Sequence, residues 1–211
     1  MHNRHHHNSN LAFNDLLFNV LVGFVFLFVI AFVLMNPIAK QGDILTKAEF
    51  VIQVDWGETR VEDIDLWVQR DDNPPVSYKN KKSSVMHLER DDLGIKNDIV
   101  VIDGSERILR TNSETLTIRG VVPGDYYVGV HYYAEMKHYK HSQEILDDPT
   151  IEVEVVVTKI NPYSVVYKGK AILVREGETA NIIGFTVNEN GTVVDRFSHT
   201  RNLGPGKDYK N

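Results

Sequence analysis

One carboxylate stands where carboxylates are costly. Asp15 lies in Leu11-Ala-Phe-Asn-Asp-Leu-Leu-Phe-Asn-Val20, near the start of an apolar run that reaches Met35. From Leu16 to Met35 there is no charge, and Asn19 is the one strongly polar side chain. An ionised acid in hydrocarbon costs about 2.5–3.5 kcal/mol on insertion scales, so it must be neutralised, paired or set against a polar cavity. Asn19 and Gly23 follow at i+4 and i+8, which puts all three residues near one helix face. The opposite face is Leu, Val and Phe. A small, polar stripe of this kind suits packing against other helices. Two readings follow from position. Asp15 reversibly binds a proton or Na⁺ in an ion path, or it only marks the membrane–water boundary, a place where an acid can also cap the helix start.

Other residues carry weaker chemistry. Asp63, Asp65, Asp91 and Asp92 are oxygen donors of the kind Ca²⁺ takes. No ligand loop of known spacing surrounds them, and such acids commonly cap turns, so no metal site is assigned to them. His131, His138 and His141 lie beside Tyr132, Tyr133 and Tyr139. Zinc needs three or four convergent ligands, which this cluster does not by itself supply. His2, His5, His6 and His7 read as part of a solvated tail. Tyr126, Tyr127, Tyr132 and Tyr133 alternate along a strand, one face toward the core and the other free to cover an edge or hold a glycan or protein. No Gly-x-Ser-x-Gly, His-Glu-x-x-His or phosphate loop occurs, and the chain is not expected to be an enzyme.

The elements that position these residues come from two compositions joined in one chain. Among 211 residues with net charge −6 and no cysteine, six of the nine Phe fall before position 40. About 20 apolar residues at ~1.5 Å each span a ~30 Å hydrocarbon core. The run is longer than a signal-peptide core and Val33-Leu-Met-Asn-Pro37 offers no small-x-small cleavage site, so it reads as an uncleaved anchor. The first forty residues hold Arg4, Lys40 and Asp15, so the acidic balance falls on the remainder. That acidic part lacks the clustered Lys and Arg of a phosphate-binding surface, and no nucleic-acid partner is expected.

After Asn36-Pro37 the pattern changes to period two. Strands are predicted at 49–55, 64–69, 85–89, 99–102, 115–120, 125–133, 151–159, 165–174 and 181–187, rich in Val, Ile, Tyr and Thr. Turn signals separate them, among them Asn73-Pro-Pro75, Asp103-Gly104, Pro123-Gly-Asp125 and Asn188-Glu-Asn-Gly191. The expected fold is a single N-terminal transmembrane α-helix followed by an all-β antiparallel sandwich. Its parts are a tail at 1–10, a membrane helix at 11–36, a connector at 37–47, a β-sandwich at 48–200 and a flexible C-terminus at 201–211.

Phe13-Asn-Asp15-Leu-Leu-Phe-Asn-Val-Leu-Val-Gly-Phe-Val-Phe-Leu-Phe28, ending in Asn36-Pro-Ile-Ala39, resembles the N-terminal anchor of the MotB/ExbD/TolR family. The resemblance covers residues 11–39. It implies a cytoplasmic tail at 1–10, one bacterial inner-membrane helix with Asp15 as the ion-carrying carboxylate, Asn19 and Gly23 beside the ion path, and a periplasmic domain. It also implies a homodimer inside a pentamer of a polytopic MotA/ExbB/TolQ-like partner, with H⁺ or Na⁺ as the transported ion and no other cofactor. Lys40 and Lys47 outnumber Arg4, so charge bias alone favours the opposite orientation, and the N-inside expectation rests on the resemblance.

The domain that follows lacks the strand–helix alternation of that family's outer domains. Asp63-Ile-Asp-Leu-Trp-Val68 and Val122-Pro-Gly-Asp-Tyr-Tyr-Val128 are instead similar to bacterial exported β-sandwich domains with an Asp-x-Asp-Leu-x-Val strand. That similarity implies a fold and not an activity. The expectation is therefore a motor subunit whose β-domain is a periplasmic output or anchoring module, meeting a cell-envelope protein or glycan. The alternative is a membrane-tethered periplasmic or surface binding or adhesion module with no ion transport.

Overall fold

The computed structural model describes residues 9–35, 47–136 and 150–205. It divides into two units, 1–45 and 46–211, each with its own contacts.

The described part of the first unit is one helix, α1 (Ser9–Met35), of 27 residues. Its stretch Leu11–Phe32 is long and apolar enough to cross a membrane, by length and composition. At ~1.5 Å per residue this stretch covers the ~30 Å of a hydrocarbon core. Its side chains are exposed and share no buried core. Apart from Asn14, Asp15 and Asn19, Leu11–Phe32 is apolar around the helix, the composition that a lipid-facing span requires.

The second unit is the β-domain, an antiparallel sandwich as expected. Its strands are β1 (Ala48–Asp55), β2 (Asp63–Arg70), β3 (Lys82–Ser83), β4 (Met86–Arg90), β5 (Ile99–Ile102), β6 (Ser105–Ile108), β7 (Ser113–Arg119), β8 (Gly124–Ala134), β9 (Ile151–Lys159), β10 (Ser164–Leu173), β11 (Thr179–Val187) and β12 (Val193–Phe197). A single helical turn, α2 (Ile95–Asp98), precedes β5. One sheet has the order β10-β9-β1-β7-β4-β3 and the other β12-β11-β8-β2. The period-two pattern decides which faces meet. Phe50, Ile52 and Val54 of β1 and the odd-numbered Ile151 to Val157 of β9 point inward, as do Ile64, Leu66 and Val68 of β2 and Tyr126, Val128 and Val130 of β8. Phe50 closes the gap between sheets, its ring 5.8 Å from that of Phe185, which stacks on Tyr126 at 5.3 Å. Fully burying each such side chain is worth roughly 1.5–3 kcal/mol.

Where the sequence pattern predicts one strand and a turn, the structure forms the short hairpin β5–β6. Asp103 and Gly104 both have positive φ, 51° and 76°, the two-residue turn that matches strand twist. Residues 201–205, expected to fray, are instead packed. Leu203 is 1% exposed and lies on Gly129 of β8, while Arg201 stacks over Tyr127 at 4.0 Å. This strap covers the outer face of the four-stranded sheet, and the buried leucine explains why it does not fray. Residues 206–211 lie outside the described part.

Candidate functional site

Asp15 lies in the second turn of α1, and the first turn holds no acid. A capping carboxylate bonds the first free N–H groups, and the dipole effect fades within one turn. Capping of the helix start therefore does not fit its place in the helix, while a place near the membrane–water boundary, four residues into the apolar stretch, does. Asn19 and Gly23 continue the line, and a Cβ built on Gly23 meets nothing within 4 Å. The small residue leaves room for a neighbouring helix and is not demanded by α1 itself.

The second site is in the β-domain, and the structure brings the four candidate aspartates together. On β2, Asp63, Asp65 and Trp67 share the face opposite Ile64, Leu66 and Val68. All three are only 2% exposed. Asp91 and Asp92 follow β4. Glu114 comes from β7, whose inward positions are Glu114, Leu116 and Ile118. It is not among the sequence candidates, although an acid in register with two buried aliphatics on an alternating strand is a signal for it. Its Oε2 accepts the Leu66 N–H at 2.6 Å and its Oε1 the Asp92 N–H at 3.3 Å. β2 is the outer strand of its sheet, so this carboxylate satisfies an edge donor that no strand reaches. One carboxylate oxygen each from Asp65, Asp91 and Glu114 lie within 4.8 Å of one another.

Gly94 lets the loop approach β2. Its φ is 58°, and a Cβ there would run into the Val61 carbonyl oxygen. Asp92 is committed locally, to Arg90 at 2.7 Å and to the Gly94 N–H at 2.9 Å. Asp91 Oδ2 pairs with Lys81 at 2.7 Å. Among the described residues, Asp63 Oδ1, Asp65 Oδ2, Asp91 Oδ1 and Trp67 Nε1 are buried without a hydrogen-bond partner.

The electrostatics follow. Burial first, then the Asp91 and Asp92 charges, pushes Asp63 up to about 7. Burial first, then Asp63 and Asp91, pushes Asp65 up to about 8. The indole of Trp67 opposes this slightly, although its Nε1 makes no well-aligned hydrogen bond. Glu114 is held well above the carboxylate range by burial, against the pull of the Leu66 N–H. Asp98 rises to about 6 through burial and Asp92. Lys79 and Lys96 lower Asp65 and Asp63 respectively without cancelling these effects. Acids raised in this way favour their protonated forms.

The remaining candidates separate. His131 is buried, its Nδ1 2.8 Å from Thr179 Oγ1. His138, His141 and Tyr139 lie outside the described residues. Tyr126 and Tyr132 belong to the core; Tyr127 lies under Arg201, and Tyr133 is exposed beside Tyr78 at 5.0 Å. A cleft of about 530 Å³ opens beside Trp67, lined by Gln69, Asn73, Pro74, Ser77, Lys79 and Asn80 among others. No protein-family model, curated protein or solved structure matches this chain.

Proposed function

We propose that the chain is the B-type subunit of a proton- or sodium-driven motor of the bacterial inner membrane, with Asp15 as the ion-carrying carboxylate. The observation that supports this reading is the position of Asp15. It is the one charged residue in the stretch Leu11–Phe32, a full turn inside the helix and in line with Asn19 and Gly23. In this reading the N-terminus is cytoplasmic, two copies of α1 pack inside a pentameric MotA/ExbB/TolQ-like partner, and the β-domain is the periplasmic output or anchoring module.

The energetics are of matching size. An ionised carboxylate in hydrocarbon costs about 2.5–3.5 kcal/mol, and a membrane potential supplies about 2.3 kcal/mol per charge per 100 mV. Loading and unloading one ion on Asp15 thus switches α1 between neutral and charged states that prefer different surroundings. The test is co-expression with the multi-span membrane protein encoded nearest to it, followed by subunit counting and ion-flux measurement in liposomes. Asp15→Asn keeps the shape and removes the titration, so the complex assembles and flux falls at least tenfold. Purification without a polytopic partner, or full flux in Asp15→Asn, overturns the reading in favour of a membrane-tethered binding or adhesion module.

A further inference from the structure

We propose that Asp65, Asp91 and Glu114, flanked by Asp63 and Asp92, bind one Ca²⁺ that clamps β2, β7 and the loop after β4 together. The site is independent of the motor reading and of α1.

Geometry carries the inference. Two oxygens on opposite sides of one Ca²⁺, each at about 2.3–2.6 Å, are roughly 4.6–5.2 Å apart. The three carboxylate oxygens, all within 4.8 Å of one another, fit inside the shell of a single ion. The second observation is independent of their proximity. Asp65 is 2% exposed and its Oδ2 has no well-aligned donor, and the same holds for Oδ1 of Asp63. Buried acceptors are nearly always paired, so an orphan asks for an unseen donor or ion.

The domain's own habits sharpen the point. Glu62, also buried, is neutralised by Arg60 at 2.6 Å, and Asp92 by Arg90 at 2.7 Å. Among the described residues, Asp63, Asp65 and Glu114 have no salt-bridge partner; Asp91 pairs with Lys81 at 2.7 Å through Oδ2 and keeps Oδ1 unpartnered, and Lys79 and Lys96 act on the group only from a distance. The cradle is also fixed in advance. Two backbone N–H groups hold the Glu114 carboxylate, and each of its oxygens keeps a lone pair for a metal.

The donor set selects the ion. It is all oxygen, with no His or Cys in the group, which favours a hard cation over zinc. Mg²⁺ keeps several waters and takes one or two carboxylates in strict octahedral geometry. A largely dehydrated set of three or more carboxylates from three segments suits Ca²⁺. The rival occupant is the proton, since acids pushed toward neutrality can share protons instead.

The experiment uses the full chain in detergent micelles, stripped with a chelator and titrated calorimetrically with CaCl₂ or MgCl₂. Terbium provides a second readout, because Trp67 lies two residues from Asp65 and sensitises a lanthanide bound there. The expected result is one Ca²⁺ per chain with a dissociation constant near 10⁻⁴ M, and Mg²⁺ at least about tenfold weaker. Terbium emission excited through tryptophan is displaced by Ca²⁺. Asp65→Asn and the half-buried Asp91→Asn each weaken binding at least tenfold while the thermal midpoint in chelator stays at or above that of the parent chain. No heat and no midpoint shift at about 10 mM Ca²⁺, or unchanged affinity in both variants, overturns the site in favour of shared protons. Equal affinity for Mg²⁺ overturns the assignment of calcium.

Discussion

Asp63 and Asp65 make the β-domain's stability depend on pH in an unusual direction. Most structural carboxylates are held below their ordinary range and stabilise a fold as they ionise. These two are raised from 3.8 to about 7 and about 8. The folded state then holds more protons than the unfolded state between about pH 4 and pH 8, so stability is lost as pH rises through that window. A tenfold difference in proton affinity between the two states is worth about 1.36 kcal/mol, and 1 kcal/mol moves the midpoint of a domain this size by about 2–4 °C. In chelator, the thermal midpoint should therefore fall by several degrees from about pH 5 to pH 8. A midpoint that is flat or rising over that range would show that the acids are already compensated. The same physics makes Asp65→Asn a stabilising substitution in chelator at pH 8, by more than about 1 kcal/mol, because it removes a charge that has no partner. Differential scanning calorimetry of both chains decides it; a clear loss of stability would mean that a hydrogen bond to Asp65, such as one from the Trp67 indole, outweighs the cost of its buried charge.

The strap at 201–205 is the element the sequence hid. Gly-Pro-Gly near a chain end reads as fraying, yet Leu203 is 1% exposed and Arg201 bonds Gln69 Oε1, the Asp71 carbonyl and Asp72. One leucine among polar residues has no period, so only the tertiary surface of β8 makes it a core residue. Leu203→Ala should cost the β-domain about 2–4 kcal/mol, read as a shift in urea midpoint at constant slope. An unchanged midpoint would mean that the strap lies loose on the sheet. The long strands were legible for the opposite reason, since β7 and β9 alternate without interruption. The missed strands had no such pattern. β3 has two residues, β6 is Ser-Glu-Arg-Ile with all four exposed, and β12 is an edge that rests its Phe197 ring against Gly184. The acid site was half legible. Asp63 and Asp65 announce themselves as a pair, but Glu114 joins them only because β7 lies across from the open edge of β2, and register is a property of the whole sheet.

The two proposals concern separate units of one chain, and that separation is what tests each of them. The helix was legible because length and apolarity alone mark a candidate span, whereas its partner is not written in it: α1 is exposed along its length and its glycine meets nothing among the described residues. If Asp15, Asn19 and Gly23 form a packing face, filling that face must damage assembly and nothing else. Gly23→Leu should reduce co-purification with a polytopic membrane partner several-fold, because a small residue at a helix interface sets how closely backbones approach. It should leave the thermal midpoint and the Ca²⁺ affinity of the β-domain unchanged, since Gly23 belongs to the other unit. Asp65→Asn should do the reverse, weakening Ca²⁺ binding while the number of partner subunits stays the same. Replacing Leu11–Phe32 with an unrelated span of equal length completes the comparison. A motor subunit loses its partner and its ion flux on that exchange, whereas a tether keeps both its membrane attachment and whatever its β-domain binds. Retained partner binding and flux after the exchange would show that the line of Asp15, Asn19 and Gly23 is incidental, and the functional reading would then move to the acid pocket and the cleft beside Trp67.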